Sequence, residues 1–303
     1  MDIYTLYAAT FGATTLPAKE ESIDYTTQEI IDGNSGSIVP TWASIGRAQP
    51  QASFTTASCK LALAAIGVNA LALTSGAPGR LYFRAKINLG GNATTSVNQR
   101  RTISSGLVVP VRITAPEPGP DSAQVQYDIH TIWDGTGGGA PVVVEQNQAL
   151  AGSWTGDRLF AAGPVKLNGS IDPKIISWSL DFGFRIFKAG DSGTIHDTWA
   201  GIMRMEPRLT FASYDLDYVR QIGWQGLPLT SVVAYLRARK SGSSFETDAT
   251  AAHIKFTATS GVGIITRETA SHGDTPARAE FTVPVVSDGS NAILAIDTAS
   301  TIS

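Results

Sequence analysis

The chain has 303 residues, and 23 Lys and Arg stand against 26 Asp and Glu, for a formal net charge of −3 that gives no basic surface of the kind nucleic-acid binders carry. Thirty glycines, only 16% charged residues and a bias toward Thr, Ser, Val, Ala and Ile are the composition of turn-rich β structure. The single cysteine excludes an intrachain disulfide, the longest apolar run (Leu61 to Leu73) is broken by Gly67 and Asn69 and is too short for a bilayer, and Met1-Asp2-Ile3-Tyr4-Thr5 lacks the basic start of a secretion signal, so a soluble protein made in the cytoplasm is expected.

In chain order, a first strand is expected from Ser22 to Ile31. A Gly/Ser turn at Gly33-Asn34-Ser35-Gly36 follows, then a long connection carrying Trp42, then a second strand from Gln51 to Thr56. Cys59, Ala62, Leu63 and Ile66 fall at i, i+3, i+4 and i+7, one apolar stripe of a helix with Ser58 as N-cap and Gly67 as its left-handed stop. Cys59 is then a small core residue and not a nucleophile. Four strands follow, at about residues 80–88, 100–114, 122–133 and 140–147. In the third, Val125, Tyr127, Ile129 and Thr131 point one way and Gln124, Gln126, Asp128 and His130 the other, so one face is buried and one wet.

The same order then returns. Gly190-Asp191-Ser192-Gly193 and Thr198-Trp199-Ala200 repeat the first turn and connection at a constant offset of 157, and 11 of the 24 positions from 33 to 56 are identical to their counterparts. Ordinary composition gives roughly one or two chance matches over such a window. Strands at Ile176 to Phe187 and Arg208 to Ala212 flank this segment. A second helix is expected between Asp215 and Gly223, with Tyr218, Val219 and Ile222 inward. Ala279, Phe281 and Val283 alternate with Arg278, Glu280 and Thr282, matching the parity of the first copy. A long-period repeat decides architecture before any local pattern does. The expectation is a mainly β protein of two tandem β-sandwich or flattened-barrel domains, residues 1–155 and 156–303, each with one packed α-helix.

Segments suggestive of chemistry have simpler readings. Gly190-Asp191-Ser192-Gly193 matches the nucleophile motif of trypsin-like proteases, but nucleophilic catalysis also needs an oriented base, and the copy at residues 33–36 marks a structural turn. Trp133-Asp134-Gly135-Thr136-Gly137-Gly138-Gly139 lies between two expected strands, where a phosphate cradle would need a helix start, and reads as a hairpin turn. His130, His196, His253 and His272 lack ligand spacing. No catalytic, cofactor or metal residue is expected, and the protein is not read as an enzyme. Arg100-Arg101 and Arg237, Arg239 and Lys240 read as solvated strand positions or salt bridges between subunits. In the repeated Thr-Trp-Ala-x-Ile-x-Arg-x-x-Pro segment, Trp42, Trp199, Pro50 and Pro207 are expected to anchor the connection onto each core. Arg47 and Arg204 are candidates for a subunit contact. An exposed Trp pair would instead suit sugar binding.

The long strand, the Gly/Ser turn, the loop into Pro50-Gln51-Ala52-Ser53-Phe54-Thr55-Thr56 and the single helix from Ser58 to Gly67 followed by strands resemble the tail tube proteins of long-tailed bacteriophages. The duplication resembles those members that fuse two tube domains in one chain. The resemblance implies a structural virion protein, made in the host cytoplasm, that forms homotrimeric, pseudo-hexameric rings. These would stack into a tube that passes DNA during ejection without binding it specifically. It also implies contacts with the tape measure, baseplate and terminator proteins, and none with a membrane. Two alternatives use the same domains: a baseplate or tail-terminus ring protein, and a tandem carbohydrate-binding β-sandwich.

Overall fold

The structure, a computed structural model, describes the chain apart from residues 1–2, 33–38, 87–96, 136–139, 153–157, 173, 217–224, 241, 243, 270–275, 288 and 291. Strands β1 (Ile3–Phe11), β2 (Thr14–Pro17), β6 (Gly79–Lys86), β7 (Asn98–Ile103) and β10 (Val142–Gln148) form one outer sheet, ordered β10-β7-β6-β1-β2. A second outer sheet, β22-β19-β18-β11-β12, is built from β11 (Phe160–Leu167), β12 (Ser170–Asp172), β18 (Val232–Ala238), β19 (His253–Ala258) and β22 (Ala295–Ser300). Both outer sheets pack on one long antiparallel sheet. Its first-half strands are β3 (Glu20–Asp32), β4 (Trp42–Thr56), β9 (Gln124–Ile132) and β8 (Ser105–Ala115), with β5 (Leu71–Leu73) beside β8. Its second-half strands are β13 (Ile175–Asp181), β16 (Arg208–Ser213), β21 (Arg278–Pro284), β20 (Gly261–Thr269) and β17 (Leu227–Leu229). The fold is mainly β and of sandwich type.

The two halves share strand order and register. Glu21 opposes Phe54 as Trp178 opposes Phe211, and Leu73 opposes Gly106 as Leu229 opposes Gly261. Even the irregularities recur: β8 bulges between Pro110 and Arg112, and β20 between Ile265 and Arg267. The cause is a repeated pattern of inward side chains. Phe11, Phe54 and Tyr127 stack with successive ring centroids 5.2 Å apart in one half, and Phe211 and Phe281 stack at 4.8 Å in the other. Trp178 is buried edge-on against Phe256 and donates its indole N–H to the Tyr235 carbonyl at 3.0 Å. The alternation in β9 falls as expected, with Val125, Tyr127 and Ile129 buried; in β21 Ala279, Phe281 and Val283 are buried, but Thr282, expected on the wet face, is buried too, between Thr210 and Ile264 of the flanking strands.

Helix α1 (Cys59–Ala65) follows the apolar stripe: Cys59, Ala62 and Leu63 are buried, and Gly67 ends it at φ +77°. Ser58 occupies the N-cap without a capping side-chain bond; instead its own N–H is taken by the Thr56 hydroxyl at 3.1 Å. Cys59 lies in the core with its thiol directed at the Ala123 carbonyl. The second helix expected at Asp215 to Gly223 falls for the most part outside the described residues.

Three expectations are corrected. The stretch 100–114 is two strands, because the chain leaves the outer sheet after Ile103 and enters the long sheet at Ser105. Gly106 allows that crossing, since a Cβ there would lie 2.3 Å from the His130 carbonyl oxygen. The strands on either side of the segment after Trp133 do not form a hairpin, because β9 belongs to the long sheet and β10 to the outer one; residues 136–139 between them lie outside the described residues. The connection carrying Trp42 is itself strand: β4 runs unbroken from Trp42 to Thr56 and pairs with β3 from Glu20 to Asp32.

Candidate assembly interface

The long sheet is continuous because β8 of the first half pairs with β13 of the second. Arg112 opposes Asp181, Ile113 Leu180, Thr114 Ser179 and Ala115 Trp178. The Phe182 N–H adds a bond to the Val111 carbonyl at 3.0 Å. On the wet face the Arg112 guanidinium donates from both Nε and Nη2 to one Asp181 oxygen, so a charge pair fixes the register at the open end of the seam. The outer layer is joined too. Ala123 N–H bonds the Phe160 carbonyl at 2.7 Å, Ala162 N–H bonds the Pro116 carbonyl at 3.0 Å, and Arg239 donates to the Gly119 and Asp121 carbonyls.

A second contact lies beyond the sheet, where β3 and β4 project as a two-stranded arm. Residues 195–197 lie along the outer edge of β4, with Ala48 N–H bonding the Ile195 carbonyl at 2.8 Å and the His196 Nδ1 3.1 Å from the Ala48 carbonyl. This places the Asp197 carboxylate, 2% exposed, among three partners. It is bonded by the Arg47 guanidinium, accepts from the Gln49 amide at 3.0 Å, and has the Lys188 ammonium 3.9 Å away. The Asp197 carbonyl accepts the Trp133 N–H at 2.7 Å. Burial lowers the pKa of Lys188, against the pull of Asp197 and with a further push from Arg47. Burial, with Lys188 nearby, likewise brings His130 down to about 4, so it is neutral at physiological pH. Arg47 therefore lies at a contact between halves of one chain. Arg204, its counterpart, pairs with Glu206 two residues on.

The indole rings do not anchor the arms to the cores. Trp42 is 55% and Trp199 54% exposed, both out on the arms. Trp199 packs on Phe187, its neighbour in the two-stranded pair of β14 (Phe184–Ala189) and β15 (Trp199–Met205), with ring centroids 5.6 Å apart, and lies over Gly201. Both positions are too far out along the arm to reach a sandwich interior. Pro50 and Pro207 are buried at the arm roots, where their carbonyls accept from the Thr131 hydroxyl and from the Val285 N–H at 2.9 Å. The large apolar side chains exposed around the arms are Ile30, Ile31, Val39 and Ile45 on the first, and Phe187, Ile202 and Met203 on the second.

The other sequence candidates have structural roles. The Asp191 carboxylate accepts the Gly193 N–H at 3.0 Å, closing its own turn; the copy at 33–36 lies outside the described residues. A cavity of about 440 Å³ beside that turn is lined by Arg47, Phe187, Lys188, Asp191 and His196, and is the space left between arm and turn. His253 accepts the Ala238 N–H at Nδ1 and donates from Nε2 to the Thr247 carbonyl; His272 lies outside the described residues. Among the described residues no three His, Cys, Asp or Glu converge on a metal position, and no helix is long and apolar enough to cross a membrane. Arg100 grips Glu145 through two bonds of 2.7 and 2.8 Å, and Arg237 pairs with Asp248, so one cation of each basic cluster is paired within the chain. Arg101 lies over the Phe83 ring, 4.9 Å from its centroid.

No protein-family model matches the chain, and no curated protein matches it.

Proposed function

We propose that the chain is a structural subunit of a phage tail tube, three copies of which close into a pseudo-hexameric ring that stacks on others around a DNA-conducting channel. The observation that carries this reading is the β8–β13 seam. It joins two sheet units of the same topology side by side in one sense, the last strand of one to the first strand of the next. Such a contact is heterologous: it leaves a β8-like edge at one end of the chain and a β13-like edge at the other. Repetition of the same contact between chains either closes a ring or grows a filament. The sequence resemblance to tail tube proteins favours closure.

The chemistry of the wet face agrees. It carries hydroxyls and amides such as Gln51, Ser53, Gln126, Ser179 and Thr210, and charges of both signs, some of them paired within the chain, Arg112 with Asp181 and Arg278 with Glu280. A wall of this kind offers the phosphate backbone no array of cations to bind. Negative-stain microscopy of the purified full chain tests the proposal. The expected result is annular particles and stacked tubes. A chain that stays monomeric, or forms only closed dimers, at every concentration and salt tried would overturn it.

The exposure of Trp42 and Trp199 supports a second reading, a tandem carbohydrate-binding module. Titration with oligosaccharides while following indole fluorescence separates the two, since a tube subunit predicts no saturable change.

A further inference from the structure

The chain carries, at its two ends, the same charge pair that closes its internal seam. At the constant offset of 157, Asp24 is the counterpart of Asp181, and its partner in β4, Gln51, corresponds to Arg208, the partner of Asp181 in β16. Arg267 is the counterpart of Arg112: each follows the bulge of its strand, and Arg112 opposes Gln126 as Arg267 opposes Glu280. So both halves keep an Arg at the β8-type position and an Asp at the β13-type position, although only one such pair meets within the chain.

The backbone around both residues is open. Among the described residues β3 pairs only with β4, and β20 pairs with β21 on one side and with β17 on the other only from Gly261 to Gly263. Asp24 and Arg267 are exposed, and neither makes an ion pair among the described residues. A 13-residue edge strand with no partner on its outer side is a template for another strand, and folded proteins ordinarily blunt or cover such edges. What covers this one is set by complementarity of register and charge.

We infer that β20 of one chain pairs antiparallel with β3 of a second copy, with Arg267 opposite Asp24, Glu268 opposite Ile23 and Thr269 opposite Ser22, reproducing the internal seam between chains. This deepens the tail tube reading and rests on it. The new seam differs from the internal one at the arm. The position of Asp197 is taken by Pro40, that of Lys188 by Ile31 and that of His196 by Val39, and Arg204 is held by Glu206. The buried carboxylate latch is absent there, so the interchain seam relies on strand pairing and the Arg267–Asp24 pair, with apolar Ile31 and Val39 at the arm.

The test is a charge swap in the full chain. Asp24→Arg and Arg267→Asp, each alone, should raise the concentration needed for half-assembly by about tenfold or more, because like charges then face each other across the seam. The double variant should return it to within about threefold of the native value. Both sites are exposed in the isolated chain, so the melting temperature of the unassembled protein should not move, which separates an assembly defect from misfolding. As a second measurement, Ser22→Cys combined with Thr269→Cys should form interchain disulfides on oxidation of the assembled protein, since directly opposed Cα atoms of an antiparallel pair lie roughly 4.5–5.5 Å apart, within the span of a disulfide. Assembly of the native chain with single variants indistinguishable from it, a double variant that fails to recover, or assembled particles that do not cross-link would each overturn this register while leaving the ring reading standing. Failure of the native chain to assemble at all would overturn both.

Discussion

The two arms start from the same sequence segment and end differently. In the first half β3 and β4 form one ribbon through to Asp32 and Trp42. In the second the corresponding ribbon breaks, and β14–β15 is a separate pair from β13–β16. The break lies at Gly183, φ +60°, where a Cβ would sit 2.3 Å from the Glu206 carbonyl oxygen. The first half has Thr26 at that position, a β-branched residue that keeps extended geometry. The continuous arm is also the one that is fastened, through Arg47 and Gln49 to Asp197. One glycine and one carboxylate thus convert two related segments into a continuous, braced arm and an interrupted one. A sequence repeat specifies a shared strand order, and single substitutions decide how each copy is used.

Removing the brace should have the largest effect. Asp197→Ala leaves the Lys188 and Arg47 cations facing each other with no counter-charge, and breaking a buried pair of this kind costs about 3 kcal/mol, the low end of the usual range because Arg47 is part exposed. Denaturant unfolding should show that loss, whereas Pro40→Ala, at the equivalent place in the other half, should change stability by less than about 0.5 kcal/mol. Equal effects at the two positions would remove the distinction between the arms.

Next comes a pH effect at another pair of equivalent positions, Trp178 and Glu21. Trp178 fills its core, whereas burial, only partly offset by Arg101, raises the Glu21 carboxyl from 4.5 to about 7. A proton held in the folded state and lost in the unfolded one makes stability fall as pH rises between those two values. The total is about 3 kcal/mol, complete above neutrality. Glu21→Gln should flatten that slope in melts recorded from pH 4 to pH 8. A native profile that is flat over this interval would contradict the burial of Glu21.

The smallest effect is expected at the indoles. Trp42→Ala and Trp199→Ala should each leave the stability of the isolated chain within about 0.5 kcal/mol, and iodide should quench both rings in the unassembled protein. A loss of several kcal/mol would mean that the rings pack into the cores after all.

Much of this architecture is legible in the sequence, and the reasons for what is not are physical. The repeat, the alternation in β9 and β21 and the stripe of α1 follow from periodicity, which burial on one face imposes. β1 hides because Ile3-Tyr4-Thr5-Leu6-Tyr7-Ala8-Ala9-Thr10-Phe11 has no polar alternation, its last four residues being buried on both faces. The far half of β4 hides because Ser44-Ile45-Gly46-Arg47 has no periodicity of either kind and a glycine in its middle. The indoles mislead because size and hydrophobicity argue for burial, while these rings sit out on the arms, beyond the reach of either core. The Asp197 latch joins residues 150 apart, and no local pattern announces it. Its only trace is that Asp197 stands opposite Pro40 in an otherwise well-matched repeat.

A three-dimensional reconstruction of the assembled particle bears most directly on the claim that one seam is used twice, within and between chains. The expected map has six similar sheet segments around the channel at low resolution and only threefold symmetry once the arms are resolved, with continuous and interrupted ribbons alternating. A twofold particle, or a ring whose chains meet through surfaces other than β20 and β3, would contradict it.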